Sequence, residues 1–150
     1  MYKDTVTLFN RYESRLGDTW YPTVLHDVNL NIDKASIIAK YGENSQDSAI
    51  LNVRYTEKNG KKYIGKKQYL SPIEWDKQTN DQLPKTVTFT SGQDLDFFYL
   101  GDWGNETPIS DVDYGTDGFL GYMLKNYDNV FVVTSVGVFS LIPHFEVVGK

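Results

Sequence analysis

The sequence predicts a mainly β domain, a small β-barrel or sandwich with two short helical insertions. Three observations point there. The run from Asn129 to Lys150 is the most apolar and most β-branched part of the chain, and it reads as a hairpin. Short alternating apolar segments recur along the rest of the chain, separated by Gly, Asn and Asp. Only two places carry helix-start chemistry. At 150 residues the chain is expected to form one domain, 1–150, long enough for a proper core.

Taken in order, Thr5–Phe9 alternates and stops at Asn10. Arg15-Leu-Gly-Asp18 supplies a turn, because Gly-Asp tolerates the positive φ that a hairpin needs. Thr19–His26 reads as the returning strand. Pro22 has no N–H to give to a ladder, so this strand lies at an edge or is bulged there. Val28, Leu30 and Ile32 alternate with Asn29, Asn31 and Asp33 and extend the pattern. Ser36–Tyr41 reads as one more short strand, and Gly42–Asp47 as a polar, mobile tip. Ala49–Tyr55 is a strand, and Asn59-Gly60 signals a hairpin returning over Lys61–Ile64.

Ser71-Pro-Ile-Glu74 combines a capping serine, a proline at the first helical position and a carboxylate placed to reach back. It predicts a helix from Pro72 to about Thr79, with Ile73 and Trp75 facing inward. Thr86–Thr90 alternates, with Val87 and Phe89 on one face, and Asp94–Leu100 is dense in aromatics. Gly101–Gly118 reads as a long acidic loop, of the length that is usually functional. Asp117 or Thr116 would cap a helix from Gly118 to about Tyr127, with Phe119, Tyr122 and Met123 on one side. The closing hairpin is Val130–Val136 and Leu141–Val148 around a turn at 137–140. Its first strand is apolar on nearly every residue, so both faces are expected to be covered. Phe131, Val133 and Phe145 are predicted core, with the rest of the domain closing around them.

Composition narrows the function classes. The chain is 40% hydrophobic and 15% aromatic, too apolar for disorder. A net charge of −5 argues against a nucleic-acid-binding face, though not against a few lysines touching DNA. There is no cysteine, hence no disulfide, thiol nucleophile or Cys-ligated zinc. No apolar run approaches ~18 residues, and the polar start Met-Tyr-Lys-Asp has no signal-peptide core. The expectation is a protein made in the cytoplasm, acting as a soluble body or within an assembly.

Asp111-Val-Asp113 with Asp117-Gly118 invites a calcium reading, but an EF-hand would need an oxygen ligand at 115 and glycine at 116. Gly115 and Thr116 stand there, leaving a solvated acidic loop and a helix cap, or a looser cation site. His26 and His144 lie in separate predicted strands and would need adjacency and a third ligand to hold a metal. Ser135 and Ser140 lie near His144 in sequence without a nucleophile elbow. Glu74 and Asp76 are explained by capping. Asp94 and Asp96 would share a strand face as a carboxylate pair, which an acidic protein produces readily. The expectation is no catalysis, no metal and no cofactor.

Lys58, Lys61, Lys62, Lys66 and Lys67 form the one basic cluster. They read as edge-protecting lysines on a solvated hairpin, or as a contact for DNA or an acidic neighbour. Tyr12, Trp20, Tyr21, Tyr99, Trp103, Tyr114 and Tyr122 are many amphipathic aromatics for this length. Trp103 and Tyr114, with Asp111 and Asp113 in the same loop and Glu43 and Asn44 in the earlier tip, are the candidate interface residues.

Several stretches together carry a resemblance. They are Asp4–Asn10, Asp18–Pro22, Gln78–Asn80, Asp96–Phe98, Ile109–Asp111 through Gly121-Tyr122, and Ile142–Glu146. The chain resembles a family of small, functionally uncharacterised proteins encoded in virion-assembly gene clusters of tailed phages and prophages of Gram-positive bacteria. More distantly, an N-terminal hairpin, a small barrel and a strand ending near His-x-Glu-Val resemble head-closure (stopper) and head–tail joining proteins. The resemblance implies a structural virion component, a head–tail connector acting as a ring between portal or adaptor and tail. It also implies monomers in isolation, DNA passing by transiently, and no membrane. A tail terminator or other minor virion protein is the neighbouring reading. A carbohydrate- or ligand-binding β-domain, with exposed aromatics stacking on sugars, is the alternative from another class.

Overall fold

The alternating segments pair into a closed wall and a small side sheet. The computed structural model describes residues 2–33, 48–91 and 96–150. In chain order the strands begin β1 Asp4–Tyr12, β2 Thr19–Asp33, β3 Ser48–Arg54, β4 Thr56–Lys58, β5 Lys61–Ile64 and β6 Lys67–Tyr69. Helix α1, Pro72–Asp76, leads through a 3-10 turn at Leu83–Lys85 to β7, Thr86–Val87, β8, Phe97–Leu100, and β9, Ile109–Ser110. A second 3-10 segment, Asp111–Asp117, runs into α2, Gly118–Asn126, and the chain closes with β10 Val130–Phe139 and β11 His144–Gly149.

Six strands form a barrel in the order β1-β8-β10-β11-β3-β2 and back to β1, every neighbour antiparallel. Closure depends on β2. Its first part pairs with β1 and its last part, from Asn29, with β3. Between them the register slips by a residue opposite Asp4–Val6, and Asp27 adopts φ 56°. Such a bulge bends a strand and swaps the side its amides face. The Asp4 carboxylate takes the Leu30 N–H at 2.9 Å just beyond it.

Val6, Leu8, Leu51, Phe145 and Val147 are fully buried and, with Phe98, Phe131 and Val133, fill the barrel. The barrel interior is packed core among the described residues. Both strands of the C-terminal hairpin are interior to the sheet, as expected. A Cβ on Gly149 would lie 2.8 Å from the Phe131 Cβ, so the crossing of β11 over that ring needs glycine.

The side sheet, β4-β5-β6-β7, wedges where β3 diverges from the first half of β2. Ile64, Val87 and Phe89 join the barrel core, and Tyr69 and Phe89 pack on Phe145 at 4.5 and 5.2 Å between centroids. Asn59 (φ 56°) and Gly60 (φ 77°) turn its first hairpin in the left-handed conformation that Asn-Gly favours. The capping box at α1 forms as read: Ser71 accepts from the Glu74 N–H, and Glu74 accepts from the Ser71 N–H. Trp75 is buried, but Ile73 is 70% exposed, because the helix ends after five residues and turns only one face inward.

A simple barrel would leave the outer face of β1, β8 and β10 wet. Here residues 101–126 cover it with an aromatic layer. Phe9 stacks on Phe97 at 4.8 Å, Phe119 meets Phe9 edge-on at 5.1 Å, and Trp20 and Met123 complete the buried set. Val130 and Val132 pack against this layer while Phe131 and Val133 face the barrel. Both faces of β10 are therefore covered as expected, but only over 130–133.

Other expectations need correction. The 101–118 segment, read as a long acidic loop, contains β9 and a 3-10 segment. The C-terminal turn is at 140–143, not 137–140, because Gly137 stays in the ladder opposite Glu146. Only Thr86–Val87 pairs within Thr86–Thr90, since Asn10 and Asp96 take over the amides beyond it. Asp96 precedes β8 and is buried. Asp94 lies outside the described residues, as do Ser36–Tyr41 and Gly42–Asp47 with Glu43 and Asn44.

Candidate functional site

Two outward features carry chemistry. The first is a groove of about 550 Å³ beside β2, between the β5–β6 turn and the 102–106 loop. That volume is in the usual range of ~300–1,000 Å³ for ligand sites. The strand supplies its floor from Thr23 to Asp27, Ile64 and Leu25 its apolar part, and Lys67, Glu106 and His26 its polar groups. Lys67 Nζ donates to Thr23 Oγ1 at 2.8 Å and pairs with Glu106 at 3.3 Å. Burial pulls this ammonium below the ordinary lysine range, and Glu106 opposes the shift.

The second is the tip of the β10–β11 hairpin. Val138, Phe139, Leu141 and Ile142 are 51%, 46%, 96% and 72% exposed. The tip is held rather than loose. Tyr55 donates its hydroxyl to the Phe139 carbonyl at 3.0 Å and its N–H to the Pro143 carbonyl at 3.3 Å. His144 stacks flat on Phe139 at 4.9 Å and its Nδ1 lies 2.6 Å from the Ile142 carbonyl.

The candidate interface residues divide. Trp103 and Tyr114 are half-buried in the aromatic layer, Trp103 against Phe9 and Tyr99, Tyr114 against Phe119 and Tyr122. Asp111 points inward, its Oδ1 accepting from Trp20 Nε1 and from the Phe119 N–H, both at 2.8 Å. It therefore caps α2, in place of Asp117 or Thr116; Asp117 makes no side-chain cap. Asp113 is exposed.

Of the lysines, Lys58, Lys61 and Lys66 are exposed, Lys66 at the groove's rim, Lys62 lies 3.9 Å from Glu57, and Lys67 is drawn into the groove. His26 is exposed on β2 beside Thr5, away from the β11 site of His144, and Ser135 and Ser140 are exposed. Among the described residues no three His, Asp or Glu side chains group as metal ligands. None of their helices is long and apolar enough to cross a membrane.

Sequence reasoning missed the buried network around Asp96. Its carboxylate accepts from Asn10 Nδ2 at 2.8 Å, the Arg11 N–H at 2.9 Å and the Thr90 N–H at 2.7 Å. Burial pushes this carboxyl up to about 7 against those bonds. An asparagine ending a strand signal was the only hint.

Fold and surface define a closed six-stranded β-barrel protein with a filled interior, an apolar hairpin tip and a polar groove beside β2. A family model described as "Family of unknown function (DUF6751)" matches residues 1–150, and the chain belongs to that family. No curated protein and no solved structure matches it.

Proposed function

We propose that the protein is a structural component of a tailed-phage virion, a head–tail connector or head-closure subunit that works as one copy in a ring. The observation that carries this reading is the hairpin tip. Four neighbouring apolar side chains held rigidly in water are costly unless a partner covers them. The resemblance of Asp4–Asn10, Asp18–Pro22 and Ile142–Glu146 to virion-assembly proteins supplies the kind of partner, the portal, adaptor or tail proteins. The filled barrel fits as well. DNA could pass only between copies, and a net charge of −5 would keep it from adhering to a lumen. A minor virion protein such as a tail terminator would use the same surface.

The test is reconstitution with portal–adaptor rings, read by size and electron microscopy. A discrete complex is expected, lost on replacing Leu141 and Ile142 together by serine. Failure to bind the rings, alongside stoichiometric binding of a small ligand, overturns the connector reading. The groove supports a ligand-binding β-domain as the second reading. Its carbohydrate form is weaker, because no Trp, Tyr or Phe among the described residues lines the groove and the half-buried aromatics pack on one another.

A further inference from the structure

In a closed barrel every strand should have two neighbours, and the first half of β2 does not. β9 covers its outer edge at Thr19 and Trp20, and β3 covers that edge from Asn29 on. Over 21–28 no strand lies on that side among the described residues. Pro22 and Val24, two apart, turn the same way. The missing N–H of Pro22 is therefore lost where no ladder needed it. The Val24 N–H faces the groove and donates to Glu106 Oε2 at 2.8 Å. The other oxygen of that carboxylate is 3.3 Å from Lys67 Nζ, which also reaches Thr23 Oγ1 and, at 3.4 Å, the Pro22 carbonyl.

The donors and the acceptor differ in kind. The two donors, the Val24 N–H and Lys67 Nζ, belong to framework strands, as does Thr23, which accepts from Lys67, and the Lys67 side chain is only 14% exposed. Glu106 comes from a run of exposed residues, 104–108, that starts at a positive-φ glycine and ends at Pro108. A fixed, desolvated cation beside a fixed amide is a carboxylate receptor, and a loop side chain sits in it.

We propose that the Val24 N–H and Lys67, its ammonium held by Thr23, form a carboxylate-binding site that Glu106 fills as an internal ligand. The C-terminal carboxylate of an extended peptide displaces it and the peptide lies along the free edge of β2. The peptide part follows from the edge. The Val24 carbonyl faces the same side as its N–H, so a ligand bound there by its carboxylate brings its own amide within ladder reach. The groove continues past it to His26 and Asp27. This site stands independently of the virion reading. The competing explanation is that the ion pair only guards a strand edge against aggregation, and that explanation predicts no saturable ligand.

The experiment uses the full-length Glu106→Ala protein, nitrogen-15 labelled. It is titrated with N-acetyl-Ser-Val-Ser-Val as free acid, with the same peptide as C-terminal amide, and with sodium acetate, following the Val24 amide. The free acid is expected to saturate Glu106→Ala at least tenfold more tightly than the parent, and at least tenfold more tightly than the amide peptide does. Adding Lys67→Met should abolish binding while the spectrum stays dispersed. Acetate binding as tightly as the peptide acid would keep the carboxylate site and overturn its peptide ligand. No saturable shift at Val24 with either carboxylate, in a folded Glu106→Ala protein, overturns the proposal.

Discussion

Replacing Asp111 by alanine should destabilise the protein far more than its place in an acidic, outwardly loop-like segment suggests. One carboxylate oxygen accepts two hydrogen bonds at 2.8 Å, from Trp20 Nε1 and from the Phe119 N–H at the start of α2. Trp20 is 3% exposed, so its indole N–H would be left buried without a partner, a loss of about 1–3 kcal/mol. Losing the helix cap adds about 1 kcal/mol. The carboxylate also lies where a Cβ on Gly118 would stand, 2.8 Å from Asp111 Oδ2, so no larger residue at 118 could take its place without displacing it. The sum is roughly 3 kcal/mol, which in a domain of this size lowers Tm by on the order of 10 °C. Urea unfolding of Asp111→Ala, Asp111→Asn and Asp113→Ala reads it. Asn keeps an acceptor oxygen and should lose less than half as much. Asp113 is exposed and should change stability by less than about 0.5 kcal/mol. If Asp111→Ala and Asp113→Ala unfold alike, Asp111 is a surface residue and the account of the aromatic layer is wrong.

Phe131→Ala removes a ring shared between the barrel strands β8, β10 and β11 and should cost about 3–5 kcal/mol in urea unfolding. A parent-like midpoint would refute the core assignment. Asp96 should make stability fall as pH rises. Its folded value of about 7 lies above the ordinary carboxyl range, so the folded state holds the proton longer than the unfolded one. The advantage is complete below pH ~4, shrinks as pH rises, and is gone above pH ~7, roughly 4 kcal/mol in all. Asp96→Asn should flatten that part of the stability–pH profile, and an unchanged slope in the variant would refute it. Replacing Leu141 and Ile142 together by serine should leave stability within about 0.5 kcal/mol, because both side chains are exposed, and a large loss would mean the tip is structural.

What was legible in the sequence is what neighbouring residues decide together. The Asn59-Gly60 turn, the Ser71–Glu74 box, the strand at β1 and the burial of Phe131, Val133 and Phe145 all rest on local chemistry, and all are present. Barrel closure rests on a bulge at Asp27 that lets one strand serve two neighbours, and nothing at that position announces it. The sequence offers Asp117 or Thr116, next to the helix, as the cap of α2. The donor at Phe119 is instead met by Asp111, eight residues upstream, because the intervening 3-10 segment folds back. Gly137 resembled a turn, yet a strand flanked by β11 tolerates it. Lys67 was one lysine among five in sequence. Only the packing of the side sheet against β2 separates it from the exposed ones.

Closure of the barrel limits where any function can reside. Side chains of β1, β8, β10, β11, β3 and β2 fill the interior, and the aromatic layer and side sheet occupy much of the outside. Two outward features of the described residues then stand out: an apolar tip and a strand edge met by an ion pair. The two demands differ in strength. The edge has already found partners in Glu106 and Lys67, so a ligand there competes with an internal one and gains only the difference. The tip has none among the described residues, so any surface that covers it gains the whole apolar transfer. Covering the tip would therefore gain more free energy than filling the groove, where a ligand must first displace Glu106.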